Sequence, residues 1–235
     1  MSKSIIRPQK LEEFFLDLHK KFGKYIVLRG YEYLPIGYSN DIDVYLPQGE
    51  LKRFLYCLKS LDAVTADITI LDSRLGLMKC ELLLEGQSIS FDILYGFYYV
   101  GLEYQNTQTL LNHSVIHKSG LFYVPAVEDE VRISVLKELL HNGRVRSDKA
   151  KYLGEMIPSC KDSLASGFFD RQAIDSVQKA IAEGHLDLPA LSKRVKSKLL
   201  LAGVTKNIFG VIKNTCLFVL IKYLAKNRYH QIRFL

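Results

Sequence analysis

The sequence predicts an α+β fold in which a mixed first half is followed by a helical second half. Over residues 1–125, short β-branched and apolar runs alternate with segments of helical periodicity. Beyond that point, apolar residues recur only at helical spacing. Strands followed by helices in this order are typical of an α+β architecture. We therefore predict an α+β domain over 1–125, a helical domain over 126–203 and a basic amphipathic helix over 204–235.

The first half begins with an amphipathic helix over 9–22, which Gly23 ends. A buried strand over 25–29 follows, and a polar loop separates it from a second strand over 41–46. Pro47 then opens a helix that extends to about residue 61. Three further strands are predicted over 64–71, 77–84 and 88–94, with hairpin turns at 85–86 and around 118–120.

Only helices are predicted in the second half, because the apolar residues there keep a period near 3.6. The predicted helices cover 127–141, 147–157, 170–183, 189–201 and 205–228.

Composition indicates a globular protein of the reducing cytosol. Apolar residues make up 48% and charged residues 24% of the chain, which excludes a disordered polypeptide. The N-terminus lacks the apolar run of a signal peptide, so we expect a cytoplasmic protein. The four cysteines lie far apart without a C-x-x-C pair, which argues against a zinc site and against a disulfide framework.

The net charge of +7 is concentrated at the C-terminus. After Asp187 the chain has ten basic residues and no acidic one, so residues 1–187 carry a net charge of −3. The segment 204–226 is apolar but interrupted by lysines, and its longest uncharged run, 214–221, is shorter than the roughly 20 residues that span a bilayer. Two interpretations remain open. The helix lies on an anionic membrane surface at the inner face, or it packs on the acidic body or a second subunit and buries Ile208, Val211, Ile212, Val219 and Leu220.

Three carboxylates form the most informative pattern. Asp41 and Asp43 are two residues apart on a predicted strand, so both side chains point to the same face. Asp92 is the only charged residue of the predicted strand 88–94. Mg²⁺ prefers a few carboxylates plus phosphate oxygens, so the pattern favours a magnesium site. The structural alternatives are a solvated strand edge for Asp41 and Asp43, and an ion pair with an arginine for Asp92.

The proximity of two like charges gives a second expectation. Adjacent carboxylates raise each other's proton affinity, and folding gains nothing from them unless a cation lies between them. Asp43→Asn is therefore predicted to leave the ligand-free protein as stable as before, or slightly more so.

The order of these features resembles the polymerase-β-like nucleotidyltransferase superfamily. That family has a hydrophobic strand, Gly-Gly or Gly-Ser, a spacer, Asp-x-Asp, and a third acid on a neighbouring strand. The matching segment here reads VLRGYEYLP, then SNDIDVYL, and later Asp92. The resemblance implies a small mixed sheet with flanking helices over 1–125, with two Mg²⁺ ions held by Asp41, Asp43 and Asp92.

The same resemblance implies an activity, namely transfer of a nucleoside monophosphate from an NTP to a hydroxyl acceptor. The expected substrate-binding residues in the matching segment are Arg29, Gly30, Tyr31 and Ser39, with Gly30 where phosphate approaches. Tyr31 departs from the family, which has Ser or Gly there, because a phenol cannot copy a small hydroxyl contact with phosphate. This departure favours the alternative, a catalytically inactive nucleotidyltransferase-like module that binds or scaffolds.

A closer resemblance is to nucleotidyltransferase-like proteins of bacterial surface-polysaccharide gene clusters, through the segment VPAVEDEVRISVLKELLHNGRV. Some of those proteins continue into a nucleoside-monophosphate-kinase-like domain. The G-x-x-x-x-G-K-[ST] loop that such a domain needs does not occur in this sequence, so no kinase activity is implied.

The basic segment between two predicted helices is a further candidate for substrate binding. Arg144, Arg146 and Lys149 are candidates to hold the triphosphate, and Tyr152 is a candidate to stack on the base. Ser147 is expected to cap the second helix. The alternative is an exposed, charged loop without a ligand. We predict no nucleic-acid partner, because the sequence shows no surface that interleaves aromatic and basic residues.

Overall fold

A seven-stranded mixed sheet is the framework of the first half in the computed structural model. The structure describes residues 10–226 except 39, 40, 48, 66, 67, 85, 106, 166 and 167. The side chains of 206, 207 and 221–226 are not described. The sheet strands are β1 (Ile26–Arg29), β2 (Asp41–Tyr45), β3 (Thr69–Arg74), β4 (Leu77–Leu84), β5 (Gln87–Leu94), β8 (Val115–Ile116) and β9 (Tyr123–Val124). Their spatial order is β3-β4-β5-β2-β1-β9-β8. The pairs β2/β5 and β1/β9 are parallel and the others antiparallel, so the sheet is mixed as predicted.

The helices and a second, two-stranded sheet complete the described chain. The small sheet pairs β6 (Phe97–Tyr99) with β7 (Leu102–Gln105). The helices are α1 (Leu11–Phe22), α2 (Leu51–Lys59), α3 (Thr107–His113), α4 (Val127–Lys137), a π-helix (Glu138–Asn142), α5 (Ser147–Leu164), α6 (Arg171–Ala182) and α7 (Pro189–Lys226). The predicted α+β class with a helical C-terminal half is confirmed.

Helices α1 and α2 cover one face of the large sheet. The apolar residues of α1 recur at helical spacing, so one stripe of the helix is buried. Phe22 of α1 meets Phe54 of α2 edge to face, with ring centroids 4.9 Å apart. Beneath them, Ile42, Phe91 and Ile93 enter the same core. Each such side chain contributes on the order of 1.5–3 kcal/mol when fully buried.

The described contacts divide the chain into two compact units. The first comprises 1–97, 106–125 and 217–235, and the second comprises 98–105 and 126–216. The large sheet with α1 and α2 belongs to the first unit, and α4, α5 and α6 belong to the second. The predicted division into three domains remains a prediction.

Several predicted element boundaries are wrong, and packing explains two of them. Helix α5 continues through Pro158 to Leu164 because Cys160 and Leu164 are buried on its inner side. The two predicted C-terminal helices form one helix, α7, with Gly203 inside it. A Cβ at Gly203 would lie 2.8 Å from Leu102 Cδ2, so this glycine serves a close approach and does not end a helix.

Two further differences concern the first half. The predicted strand 64–71 begins at Thr69, although Val64 forms an isolated bridge with Leu84. Helix α3 was not predicted, because seven residues with a single fully buried position, Leu110, give little periodicity.

No helix in the described part of the chain has the length and hydropathy that crossing a membrane requires. All four cysteines are free, and only Cys216 is exposed.

Most apolar residues that were predicted to be buried in the C-terminal helix are exposed. Ile208, Ile212, Val219 and Leu220 all have exposed side chains, and Val211 is half-buried. The prediction that these residues pack on the body of the protein is therefore wrong for the four exposed ones.

A buried histidine, His117, provides a pH-dependent test of the packing in the first unit. His117 is stacked on Phe122 with ring centroids 4.5 Å apart, and its Nδ1 accepts the backbone N–H of Ser119 at 3.3 Å. Burial, and then the charge of Lys118, lower the pKa of His117. The unfolded chain therefore binds more protons than the folded protein as the pH falls below about 6.5.

We expect the unfolding free energy of the wild type to fall between about pH 7.5 and 5.5, with a slope of at most about 1.4 kcal/mol per pH unit from this residue. His117→Phe keeps an aromatic ring on Phe122 and cannot be protonated, so its curve should be flatter. Urea denaturation across this range measures both curves. Parallel curves for the two proteins would contradict the lowered pKa of His117.

Candidate functional site

Four charged residues lie side by side across the middle of the large sheet. In the strand register, Lys79 of β4 is paired with Asp92 of β5, Asp92 with Asp43 of β2, and Asp43 with Arg29 of β1. Paired positions on neighbouring strands project to the same face, with the strands about 4.8 Å apart. The result is a row with the charge order plus, minus, minus, plus. We call these four residues the charged row.

Asp43 is held by a bidentate arginine. Arg29 Nε donates to Asp43 Oδ2 at 2.5 Å, and Arg29 Nη2 donates to Oδ1 at 2.9 Å. Asp43 is 5% exposed, so this pair replaces most of the water that the carboxylate would otherwise bind. Burial alone would lower the pKa of Arg29. The bond to Asp43 and the charges of Asp43, Asp41 and Asp92 outweigh it and raise that pKa.

Asp92 is held by a lysine. Lys79 Nζ donates to both carboxylate oxygens of Asp92, each at 2.7 Å. Burial is the largest cause that raises the pKa of Asp92, and the charges of Asp43 and Asp41 raise it further, while Lys79 opposes them. The net effect is a raised pKa. Asp92 therefore has a raised affinity for a proton.

A second row runs parallel to the first, two residues along each strand. Asp41 is paired with Ser90, and Ser90 with Glu81. The Ser90 hydroxyl donates to Glu81 Oε1 at 3.2 Å. Asp41 is half-buried at the first position of β2, on the same face as Asp43. On β3, Asp72 is paired with Lys79 in the same register. The face opposite the core thus includes the carboxylates of Asp41, Asp43, Glu81 and Asp92 and the bases Arg29 and Lys79.

The donor chemistry of this face suits Mg²⁺, because carboxylate oxygens are the ligands that this ion prefers. The carboxylates of the charged row are, however, paired with basic side chains in this structure and are not grouped as metal ligands. Among the residues that the structure describes, no three or more His, Cys, Asp or Glu side chains are grouped to hold a metal ion. Both carboxylates of the charged row are engaged by a base. A metal ion fits here only when Lys79 and Arg29 release the oxygens that they now hold.

The charged row also corrects the argument from like charges. Asp43 and Asp92 do adjoin each other, but the cations that compensate them belong to the protein itself, namely Arg29 and Lys79. The premise behind a stability-neutral Asp43→Asn is therefore wrong. Removing that carboxylate charge leaves a half-buried guanidinium without its bidentate partner.

Gly30 and Tyr31 follow Arg29 directly. Gly30 has a φ of 70°, a left-handed conformation that favours glycine, and an added Cβ would meet nothing within 4 Å. The backbone there is open to solvent or ligand. Tyr31 packs against the core and lies edge to face with His117 at 6.1 Å. Ser39, another predicted substrate-binding residue, lies outside the described residues.

The loop after Tyr31 lines a recess that the sequence did not indicate. Residues 32–37 and 117–119 enclose a cavity of about 330 Å³. Tyr33 and Ile36 are exposed there, although both are large apolar side chains.

The four basic-segment candidates belong to the second unit. Arg144 is exposed and forms an isolated backbone bridge with Asp187. Arg146 Nε donates to Oε1 of the buried Glu138 at 2.9 Å, so this guanidinium has a structural partner. Lys149 and Tyr152 are half-buried on α5. Their binding roles stay predictions.

The predicted cap of α5 is wrong. Ser147 is the first helical residue, and the preceding Arg146 occupies the cap position without a side-chain hydrogen bond. The first turn is held instead by backbone bonds to the Arg146 carbonyl, from Lys149 and Ala150.

Sequence reasoning missed Lys79 and Glu81. The signal was available in the alternation of β4, where Met78, Cys80 and Leu82 are buried and the charged residues lie between them. Because 77–84 and 88–94 were predicted as a hairpin, their polar faces had to coincide. Pairing that hairpin explicitly would have brought Lys79 next to Asp92.

The pairing between Lys79 and Asp92 can be tested with a double-mutant cycle. Lys79→Met leaves the buried Asp92 beside Asp43 without its donor, so we expect a loss of about 1–3 kcal/mol in the unfolding free energy at pH 7. Lys79→Met combined with Asp92→Asn should recover part of that loss, because the unpaired charge is gone. Chemical denaturation measures all three variants.

Lys52→Met, at an exposed position of α2, is the matched control and should change stability little. A Lys79→Met protein no less stable than this control, or a double variant whose loss is the sum of the single losses, would contradict the pairing.

Comparison with known proteins adds only distant similarity to solved structures. No protein-family model and no curated protein matches the chain. Among solved structures, the chain is similar to the crystal structure of an antigenic nucleotidyltransferase-like protein from Paracoccidioides brasiliensis, with 16% sequence identity and a TM-score of 0.45. The similarity covers 83% of this chain and 96% of that chain. At that identity and TM-score the similarity decides nothing about function, which rests on the geometry of the site.

Proposed function

We propose that this chain is a nucleotidyltransferase that moves a nucleoside monophosphate from an NTP to a hydroxyl acceptor. One observation carries the proposal. Asp43 and Asp92 occupy directly paired positions on adjacent parallel strands, with Asp41 on the same face. Three carboxylates gathered on one face of neighbouring strands are the kind of donor set that Mg²⁺ takes together with phosphate oxygens.

Each acid has a role that its surroundings suit. Asp41 and Asp43 would hold Mg²⁺ together with Asp92, and the bound metal supplies positive charge that stabilises the attacking and leaving oxygens. Asp92 would also be placed to accept the proton of the acceptor hydroxyl while it is not bound to the metal, because burial raises its pKa in the metal-free protein. The open left-handed turn at Gly30 lets phosphate approach the backbone.

The two bases of the charged row can take part in the same event. An NTP that arrives with its metal brings a cation for the carboxylates and an anion for the bases. Arg29 and Lys79 can therefore leave Asp43 and Asp92 for phosphate oxygens while every charge remains paired. Arg29 is the better placed of the two for phosphate, since a guanidinium binds phosphate with two parallel hydrogen bonds.

The setting of the reaction is part of the proposal. The acceptor is a hydroxyl compound, and the sequence resemblance points to surface-polysaccharide metabolism. A cytoplasmic site gives access to NTPs.

A catalytically inactive binding module is the second candidate. It is favoured by the two ion pairs, which satisfy the buried carboxylates without a metal, and by Tyr31, which is used for packing. Such a module would bind a nucleotide or a nucleotide-linked sugar without transfer.

Ligand-induced stabilisation tests the proposal without a known acceptor. We expect the wild-type melting temperature to rise by about 5–10 °C with Mg²⁺ and an NTP at a hundred times Kd, because binding then adds about 2.7 kcal/mol. Mg²⁺ alone or NTP alone should give much less. Asp41→Asn removes one acid from a half-exposed position and should abolish most of the joint shift, whereas the exposed Asp62→Asn is the control and should keep it.

Pyrophosphate release then separates the two candidates. With the four NTPs and a panel of sugars and polyols, release that requires Asp92 supports transfer. A joint melting shift without release in any combination would favour the binding module. No shift with any NTP, in a wild type that melts cooperatively, would reject transfer. No shift with nucleotide-linked sugars either would reject the binding module as well.

A further inference from the structure

The middle of α7 exposes a row of large apolar side chains. Leu200, Val204, Ile208 and Ile212 are spaced by four residues, so they form one stripe along the helix, and all four are exposed. Leu201 lies beside the stripe and is 65% exposed. We call this set the α7 stripe.

Phe209 widens the apolar surface. It follows Ile208 of the α7 stripe by one position and is 82% exposed. Water in contact with so many large apolar groups is unfavourable, by about 25 cal/mol for each Å² that a partner could cover. A contiguous exposed patch of this kind marks an interaction surface.

The charge of α7 identifies the kind of partner. Residues 189–226 contain eight lysines and arginines and no acidic residue. Arg194 and Lys198, near the start, both bond to Asp170. Lys213, beside Ile212, is exposed. Anything that covers the α7 stripe must therefore tolerate or compensate a strong positive field.

We propose that α7 lies flat on an anionic lipid surface, with the α7 stripe and Phe209 in the acyl boundary and its lysines at the phosphate headgroups. Lysine suits this geometry because its aliphatic stem follows apolar surface while its ammonium group reaches the headgroup layer. Each lysine or arginine near such a surface adds about 1 kcal/mol of attraction.

A second copy of the chain is the rival occupant, and charge disfavours it. Two α7 helices packed stripe to stripe would bring like charges together, with no acid on either helix. Repulsion of this kind opposes association. A lipid surface supplies the missing anions at the same place as the apolar layer.

Vesicle sedimentation with the full chain tests the proposal. We expect binding to phosphatidylcholine vesicles that contain about one-third phosphatidylserine, little binding to pure phosphatidylcholine, and weaker binding as salt rises from about 0.1 to 0.5 M. Lys213→Glu should weaken binding about tenfold to thirtyfold, since a charge reversal counts twice. Phe209→Ser should weaken it at every salt concentration, because the apolar contribution is not screened.

Two matched controls make a charge reversal and an aromatic-to-serine change outside α7. Lys52→Glu and Tyr56→Ser alter exposed positions of α2 and should leave vesicle binding unchanged. All four positions are exposed, so the variants should melt like the wild type, which the same samples verify. Sedimentation velocity reports the oligomeric state.

Three results would overturn the proposal. The first is equal binding to neutral and anionic vesicles, or binding to neither. The second is binding that Lys213→Glu and Phe209→Ser weaken no more than the controls do. The third is a dimer that Phe209→Ser dissociates in a chain that ignores vesicles, which would assign the α7 stripe to a second copy. None of these results depends on nucleotide transfer.

Discussion

The compensation of two buried carboxylates by two bases of the same sheet is the interaction on which the first unit depends. Asp43 and Asp92 adjoin each other in the middle of the sheet, and neither could stay ionised there at acceptable cost without a partner. Arg29 on one side and Lys79 on the other supply those partners. The charge order fixes the relation between four strands. A slip of one residue in any of them would turn the charged residue of that strand into the apolar core and a core residue towards the charged row.

The fold class could be predicted from the sequence because it depends on local periodicity. The alternation in β2 and β4 and the helical stripe of α1 are each contained in a dozen residues or fewer. Boundaries depend on contacts that are distant in sequence. Gly203 reads as the end of a helix, yet it lies inside one, where an added Cβ would come within 2.8 Å of Leu102 Cδ2. Local pattern contains no information about such a neighbour.

The candidate site shows the same difference between local sequence pattern and contacts that are distant in sequence. Asp41 and Asp43 could be found from spacing, since residues two apart on a strand share a face whatever surrounds them, and Asp92 could be found as the only charged residue of its strand. Their partners could be found only by pairing strands, because Lys79 is thirteen residues from Asp92 and Arg29 is fourteen from Asp43. The same limit affected Arg146, which looks like a phosphate ligand in sequence and holds the buried Glu138 in the structure. Sequence alone does not show whether a basic residue already bonds a buried acid.

In the proposed function, Arg29 would have two roles, because it bonds Asp43 and would also bind phosphate. Tyr31 is committed to packing against His117, so the side chain after Gly30 offers no small hydroxyl for phosphate. In the proposed function, phosphate contacts would come from the open backbone at Gly30, from the guanidinium directly before it and from Lys79. That guanidinium is also the only described partner that Asp43 is seen to bond, so a phosphate that drew it away would leave the carboxylate without a cation. Entry of the nucleotide together with its metal would keep these charges paired. The proposed site would then favour the metal–nucleotide complex over free nucleotide, an expectation that rests on the pairing geometry and not on the acceptor.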